Sequence, residues 1–265
     1  MLYDCHVHST FSPDGKSTVA EYVKLIDQEL VKGIGFAEHL DFLPECGAVG
    51  YLDYTLYKNT IKHYKELGYE VYAGAEIDYA KSVENDILSK LNETPYDFTI
   101  CSVHMIKGLP MSDRNIDHFF DKNNFLELIE GYYNEIKSSL KAIGFDVMGH
   151  VGVYRRYLDE DFYDADMKKW LKELDNEVAS LCAKSHKLLE INSSGLFSVC
   201  KSTVPGITFL QAYFEYGGRN ICMSSDAHNA LHMSRGFDVV RDILIRTGLN
   251  YIYLPWDKEN PLPLK

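Results

Sequence analysis

Nothing in this sequence approaches the run of about 18 apolar residues that a membrane-spanning helix requires. The N-terminus, Met1-Leu2-Tyr3-Asp4-Cys5-His6, lacks the basic patch and apolar stretch of a secretory signal. Positive charge is short as well. Lys and Arg number 27 against 39 Asp and Glu, giving a net charge of −12. A field of that sign repels polyanions, so neither a broad nucleic-acid surface nor an anionic membrane surface is expected. The six cysteines (Cys5, Cys46, Cys101, Cys182, Cys200 and Cys222) form no CxxC pair and lack the spacing of a small disulfide scaffold. Several stand in apolar segments and read as buried reduced thiols. The expectation is a soluble cytoplasmic protein. No Pro/Gly-rich linker, low-complexity tract or internal repeat divides the chain.

What is present has ordinary globular proportions, with 46% hydrophobic and 25% charged residues over 265 positions. A prior of about 150 residues per domain would suggest two domains, yet one α/β barrel of about 250 residues fits equally well. Short β-branched or apolar runs at Leu2–His8, Ile34–His39, Glu70–Tyr79, Asp97–His104, Phe145–Val151, Lys187–Ser193 and Asn220–Asp226 predict seven strands. Amphipathic stretches fill the gaps. Ser17 or Thr18 caps a helix through Val31, and others cover 54–67, 83–92, 123–143, 166–185, 206–217 and 234–247. Strands alternating with helices predict a parallel sheet with helical crossovers, in one domain over 1–265. Segments 43–53 and 106–122 lack periodicity and read as loops over a site.

The chemistry recurs at the strand ends. They carry His6-Val7-His8, Glu38-His39, Glu76-Ile77-Asp78, His104, His150, Glu190 with Asn192, and Asp226-Ala227-His228. In an α/β barrel the C-terminal strand ends form the active face. Residues i and i+2 of a strand share a side, so His6 and His8 converge, as do Asp226 and His228. Imidazole and carboxylate together suit Zn, Mn or Fe ions, and a carboxylate can bridge two of them. Six histidines gathered at strand ends with acids are poorly explained as packing, because buried polar groups need partners. Metal binding is the expectation.

The segments DCHVHSTFSPDG, FAEHLDF, AGAEIDY, CSVHMIKG, MGHVGVYRRY, LEINSSG and SSDAHN resemble the polymerase-and-histidinol-phosphatase (PHP) family. Within it they are most similar to the monofunctional histidinol-phosphate phosphatases. The resemblance runs from His6 to His228 in family order and implies a distorted (β/α)7 barrel of TIM-like form holding three divalent transition-metal ions. His6, His8, Glu76 and Asp226 would hold the first, and Asp14, His39 and His228 the second. Glu76 would bridge to a third completed by His104 and His150. Three divalent ions and three ligating carboxylates leave about +3 formally at the site, which draws in a phosphate dianion. The implied reaction is hydrolysis of L-histidinol phosphate, a step of histidine biosynthesis, by a hydroxide bridging the metals.

Other roles implied here are individually less specific. Arg155 and Arg156 stand where the family has a phosphate-binding arginine, and a planar guanidinium fork suits phosphate. Phe197 occupies a position where the family often has a second basic residue, which leaves Lys201 as a substitute. Asp41, Phe42, Tyr154 and Phe197 flank the ligands and are candidates for recognising the substrate ammonium and imidazole. Glu190 stands where it can support a ligating histidine. Asp226, and after it His228, are candidates for protonating the leaving alkoxide. The alternatives are a PHP phosphoesterase for another small monoester or nucleotide, and a non-catalytic metal-stabilised module. An amidohydrolase would place a lysine at a middle strand end, and none is there. The residues set neither the native metal nor an oligomeric state.

Overall fold

The computed structural model describes residues 2–120 and 124–264. Parts of the expected 106–122 loop and 123–143 helix, and both ends of the 1–265 unit, lie outside the described residues. Seven parallel strands make one sheet: β1 (Tyr3–Val7), β2 (Gly33–Leu40), β3 (Glu70–Asp78), β4 (Phe98–Ser102), β5 (Val147–Met148), β6 (Leu188–Asn192) and β7 (Ile221–Ser224). They pair in sequence order. The sheet closes on itself just past β7, where Val7 bridges Ala227 and the backbone bonds His8 N→Ala227 O (2.9 Å) and Asp226 N→His6 O (2.9 Å) join the two edges. The expected (β/α)7 barrel is thus the observed one.

Among the described residues seven helices of nine residues or more connect or follow these strands: α1 (Val19–Asp27), α2 (Tyr54–Glu66), α3 (Glu84–Glu93), α4 (Phe125–Ala142), α5 (Ala165–Lys184), α6 (Ile207–Glu215) and α7 (Phe237–Thr247), with a single helical turn at Ile116–Phe119 before α4. Thr18 caps α1: its hydroxyl accepts from Glu21 N, and Glu21 reaches back to Thr18 N. The helix ends at Asp27, short of the expected Val31, and Glu29 turns the chain at φ +58°. Gly68, Gly217 and Gly248 end helices at positive φ, as expected of C-terminal glycines. Gly33 instead opens β2, where a Cβ would sit 2.8 Å from the Tyr3 ring.

The core outside the barrel is apolar on alternating strand positions, such as Ala75 and Ile77 of β3, packed against the helices. Positions between them face inward. At the floor these are Tyr3, Cys5, Ala37, Phe98, Ile100, Val147, Leu188 and Cys222. The floor is plugged by a hairpin missing from the expected elements, β8 (Tyr251–Leu254) and β9 (Asp257–Pro263). Its Trp256 stacks on Tyr72 with centroids 4.1 Å apart, and Gly35 leaves room for it, since a Cβ there would lie 2.6 Å from the indole.

One irregularity positions the site. The β1–β2 register slips between Asp4 and Val7. Tyr3 and Cys5 face the barrel interior, whereas Val7 packs outside against α1 and α2 residues. Cys5 and His6 therefore point inward in succession, the signature of a β-bulge, which re-aims the side chains beyond it. That shift in parity lifts His6 and His8 onto the inner rim.

Candidate metal centre

At the rim the interior changes from apolar to ionisable. His6 and His8 bring their Nε2 atoms to 2.9 Å of each other. Both Nδ1 atoms face outward partners. His6 Nδ1 lies 2.6 Å from Glu190 Oε1, and His8 Nδ1 lies 3.2 Å from Ser12 Oγ, whose hydroxyl donates to Glu38 at 2.6 Å. With the Nδ1 protons so used, two lone pairs converge, and only a cation or a shared proton can stand between them.

Glu76 is the hub. Its Oε1 is 2.8 Å from His150 Nε2 and 3.4 Å from His104 Nε2, and accepts from Ser102 Oγ at 2.7 Å. Its Oε2 is 3.2 Å from His39 Nδ1, 3.4 Å from His8 Nε2 and 3.5 Å from His6 Nε2. Asp226, at φ +53°, turns Oδ1 to within 3.4 Å of His8 Nε2, while Oδ2 accepts from Arg156 at 2.8 Å. Asp14 reaches His228 Nε2 at 3.0 Å and His39 Nε2 at 3.5 Å. His228 Nδ1 is fixed by the Asp226 carbonyl at 3.0 Å.

All nine residues implied as ligands meet here. Seven of them place donor atoms in three overlapping groups, each within 4.8 Å: His6, His8 and Glu76; Glu76, His104 and His150; and His8, His39 and His228. Asp226 and Asp14 border these groups, at 3.4 Å from His8 and 3.0 Å from His228. His39 Nδ1, although near Glu76, is buried and makes no hydrogen bond. Converging imidazole and carboxylate donors around orphaned nitrogens fit divalent ions of intermediate hardness.

Titration follows the same geometry. Burial opposes charge on both His6 and Glu76, but Glu190 and Glu76 hold the His6 imidazole well above its ordinary range. His104 and His6 hold the Glu76 carboxyl well below its own. His8 is driven the other way, by burial and by the neighbouring His228 and His39. One of two facing imidazoles thus takes a proton that a bound cation would displace.

Above the cluster opens a cavity of about 1120 Å³, lined in part by Arg156, Asp41, Phe197, Asp226 and His228. Other expected substrate contacts lie elsewhere, and their roles are corrected accordingly. Arg155 turns away from the cavity into a two-pronged ion pair with Asp175, at 2.9 and 3.1 Å, because α5 presents a buried carboxylate there. Tyr154 is fully buried in the same cluster and accepts from Arg155 Nε at 3.0 Å. Phe42 packs against the helical core. Lys201 lines a smaller neighbouring cavity with Arg114 and Val199. Residues not singled out from sequence also serve the site. Ser12, Ser102 and Ser224 hydrogen-bond the carboxylates of Glu38, Glu76 and Glu190, and isolated serines carry no sequence signal for that task.

The PHP domain family matches residues 4–194. A probable histidinol-phosphatase of Thermotoga maritima is 24% identical over 252 residues, covering 95% of this chain and 94% of that protein. The histidinol-phosphatase of Lactococcus lactis is 23% identical over 259 residues, covering 93% and 91%. Among solved structures, the Lactococcus lactis histidinol phosphate phosphatase complexed with Zn, L-histidinol and phosphate superposes with a TM-score of 0.82 at 21% identity, covering 97% of this chain and 98% of that one. With most of its length matched by that domain and its barrel shared with these relatives, the chain belongs to the PHP family.

Proposed function

We propose that the protein is a metal-dependent phosphatase that hydrolyses L-histidinol phosphate to L-histidinol and phosphate. The observation that carries this is the convergence of six imidazoles and Glu76, with Asp226 and Asp14 beside them, beneath a cavity that also presents a buried arginine. Relatives named histidinol-phosphatase that align along nearly the whole chain support the substrate. The whole span 1–265 is read as one phosphatase unit.

His6, His8, Asp14, His39, Glu76, His104, His150, Asp226 and His228 would hold three divalent ions of Zn, Mn or Fe type. Bound there, such ions supply an acidified water and electrostatic stabilisation of the transferring phosphoryl group. The remaining work falls to the protein. Arg156 binds the phosphate. Its Nη2 is held by Asp226, while its Nε is buried without a hydrogen-bond partner, so a donor is left for an incoming oxygen. Asp226 handles the proton. Arg156 keeps its carboxyl well below the usual range against the cost of burial, so in the resting state it is an acceptor. It takes a proton from the attacking water and returns it to the leaving alkoxide. His228 is the second candidate for that return.

Asp41 faces the substrate ammonium. Its carboxyl is buried in the cavity wall, Oδ1 has no hydrogen-bond partner, and burial pushes its pKa up to about 6. A cation at that oxygen would relieve the cost. Phe197 lines the same cavity and borders the space for the imidazole. No helix among the described residues is long and apolar enough to cross a membrane, and six free thiols suit the reducing cytoplasm. The test is steady-state hydrolysis of histidinol phosphate beside serine phosphate. A kcat/KM preference of at least 100-fold for the former is expected, and equal efficiency would overturn the substrate assignment.

A further inference from the structure

The first loop after β7 carries a cation that the functional reading leaves unused. Arg235 lines the main cavity, and its guanidinium carbon lies 3.6 Å from the centroid of the Phe197 ring. Among the described residues it has no carboxylate within ion-pair distance. Of the two other arginines lining this cavity, Arg156 is already engaged by Asp226 and Arg114 is exposed. A guanidinium laid flat on an aromatic ring keeps its N–H edge free in the plane of the stack, which is the edge that grips oxyanions.

The placement is built. Gly236, at φ +79°, brings the backbone against the loop after β6, where a Cβ would lie 2.9 Å from Leu196 and 3.0 Å from Phe197. Only glycine tolerates both that conformation and that closeness. On the other side, Ser234 N donates to the buried Asp4 carboxylate at 2.8 Å, and the same carboxylate accepts from Ser225 N at 3.0 Å. Asp4 therefore ties the residue before Asp226 and the residue before Arg235 to one anchor at the barrel seam.

We infer that Arg235 is a second phosphate-gripping arginine, delivered from the loop after β7 and seated on Phe197. Arg235 and Asp41 line the same cavity with opposite charge, so the anionic and cationic ends of a zwitterionic substrate are drawn to different side chains. This rests on the phosphatase reading, and it assigns to Arg235 the task first considered for Lys201.

The test is calorimetric binding of inorganic phosphate to the zinc-loaded protein, with metal content measured in parallel. Arg235→Ala should weaken phosphate about tenfold, the usual scale for one charged hydrogen bond, at unchanged zinc content. Arg235→Lys should restore only part, because an ammonium neither forks nor stacks well. Phe197→Ala should weaken binding less, and add little on top of Arg235→Ala. Unchanged phosphate affinity in Arg235→Ala overturns the inference, as does a loss seen only in Lys201→Ala. Zinc loss in Arg235→Ala also overturns it, since the residue would then merely hold the Asp226 segment. Should the wild type cleave other monoesters but not histidinol phosphate, the substrate assignment fails while these binding results still decide Arg235.

Discussion

Nδ1 of His6 and Oε1 of Glu190 lie 2.6 Å apart inside the barrel, and both residues are fully buried. The contact spans the seam of the sheet, joining the first strand to the sixth. Glu190 also accepts from Ser224 Oγ at 2.6 Å and from the backbone N–H of His150, so one carboxylate braces two ligating residues, His6 and His150, and is itself held by β7. It fixes the His6 tautomer that leaves Nε2 free and raises its basicity. Glu190→Gln keeps the shape but replaces an acceptor by an amide. Supports of this kind are worth about 10–100-fold in metal affinity. Competition against a chelator should show a loss in that range, with activity restored at high metal concentration.

His6→Ala removes the ligand itself. Its Nε2 belongs to the grouping with His8 and Glu76, and both of those residues contribute to the neighbouring groupings. The loss should therefore spread. Elemental analysis should find at least one metal fewer per chain, and kcat should fall by more than about 100-fold, beyond the effect of a supporting residue. Full turnover by His6→Ala would remove the metal centre from the mechanism.

Protons and metal compete for the same nitrogens. In the metal-free site the His104 imidazole, despite burial, is raised from 6.5 to about 9 by Glu76 and Asp78. A raised folded-state pKa means that the charged imidazole stabilises the fold fully below pH 6.5, and that this contribution disappears as pH rises towards 9. His6 and His39 shift in the same direction. The metal-free protein should accordingly lose melting temperature between pH 6.5 and 9. Metal affinity should rise over the same interval, because coordination needs the neutral imidazole. Calorimetric titration with zinc in buffers of different ionisation enthalpy should show release of more than one proton per chain at pH 7.

Much of this architecture could be read from local pattern. The inward positions of β3 run through Gly74 and Glu76, and those of β2 through Gly35, Ala37 and His39, so strict alternation places Glu76 and His39 correctly. Alternation fails where the chain breaks it. Along β1 the bulge is set by pairing with β2, which no single strand encodes. The fifth strand is only Val147–Met148, and His150 reaches Glu76 from the turn beyond it. The floor hairpin has weak alternation, with Tyr251 exposed and β9 mostly exposed, so its role emerges only when Trp256 meets Tyr72.

The adjacent arginines show the same limit at the site. Nothing local to Arg155 and Arg156 separates them. Asp175, twenty residues further on, claims the first and leaves the second to Asp226. Arg156→Ala should raise KM for the phosphate ester about 10-fold or more, the scale of a lost charge-assisted bond, while metal content stays near wild type. Arg155→Ala should instead lower stability by about 3 kcal/mol, because it strands the buried Asp175 carboxylate. Measuring KM and thermal midpoint for both variants separates the two roles, and equal KM effects would return Arg155 to the clamp.

Trp256 gives a prediction at the far end of the barrel. The ring lies against Tyr72, Phe98 and Tyr3, at centroid distances of 4.1, 5.4 and 6.4 Å, beneath the apolar layer that underlies the metal-binding rim. Removing it opens the floor beneath strands that Gly35 and Gly74 leave without side chains of their own. Trp256→Ala should cost about 3 kcal/mol in chemical denaturation, through lost burial and an unfilled cavity. The rim is held by its own ties, among them Glu190 to His6 and Ser12 to Glu38, so ligand positions should survive where the fold does. Stoichiometric metal and near-normal KM in a strongly destabilised Trp256→Ala are the expected combination. Loss of metal in proportion to stability would instead mean that the floor and the rim fold as one mechanical unit.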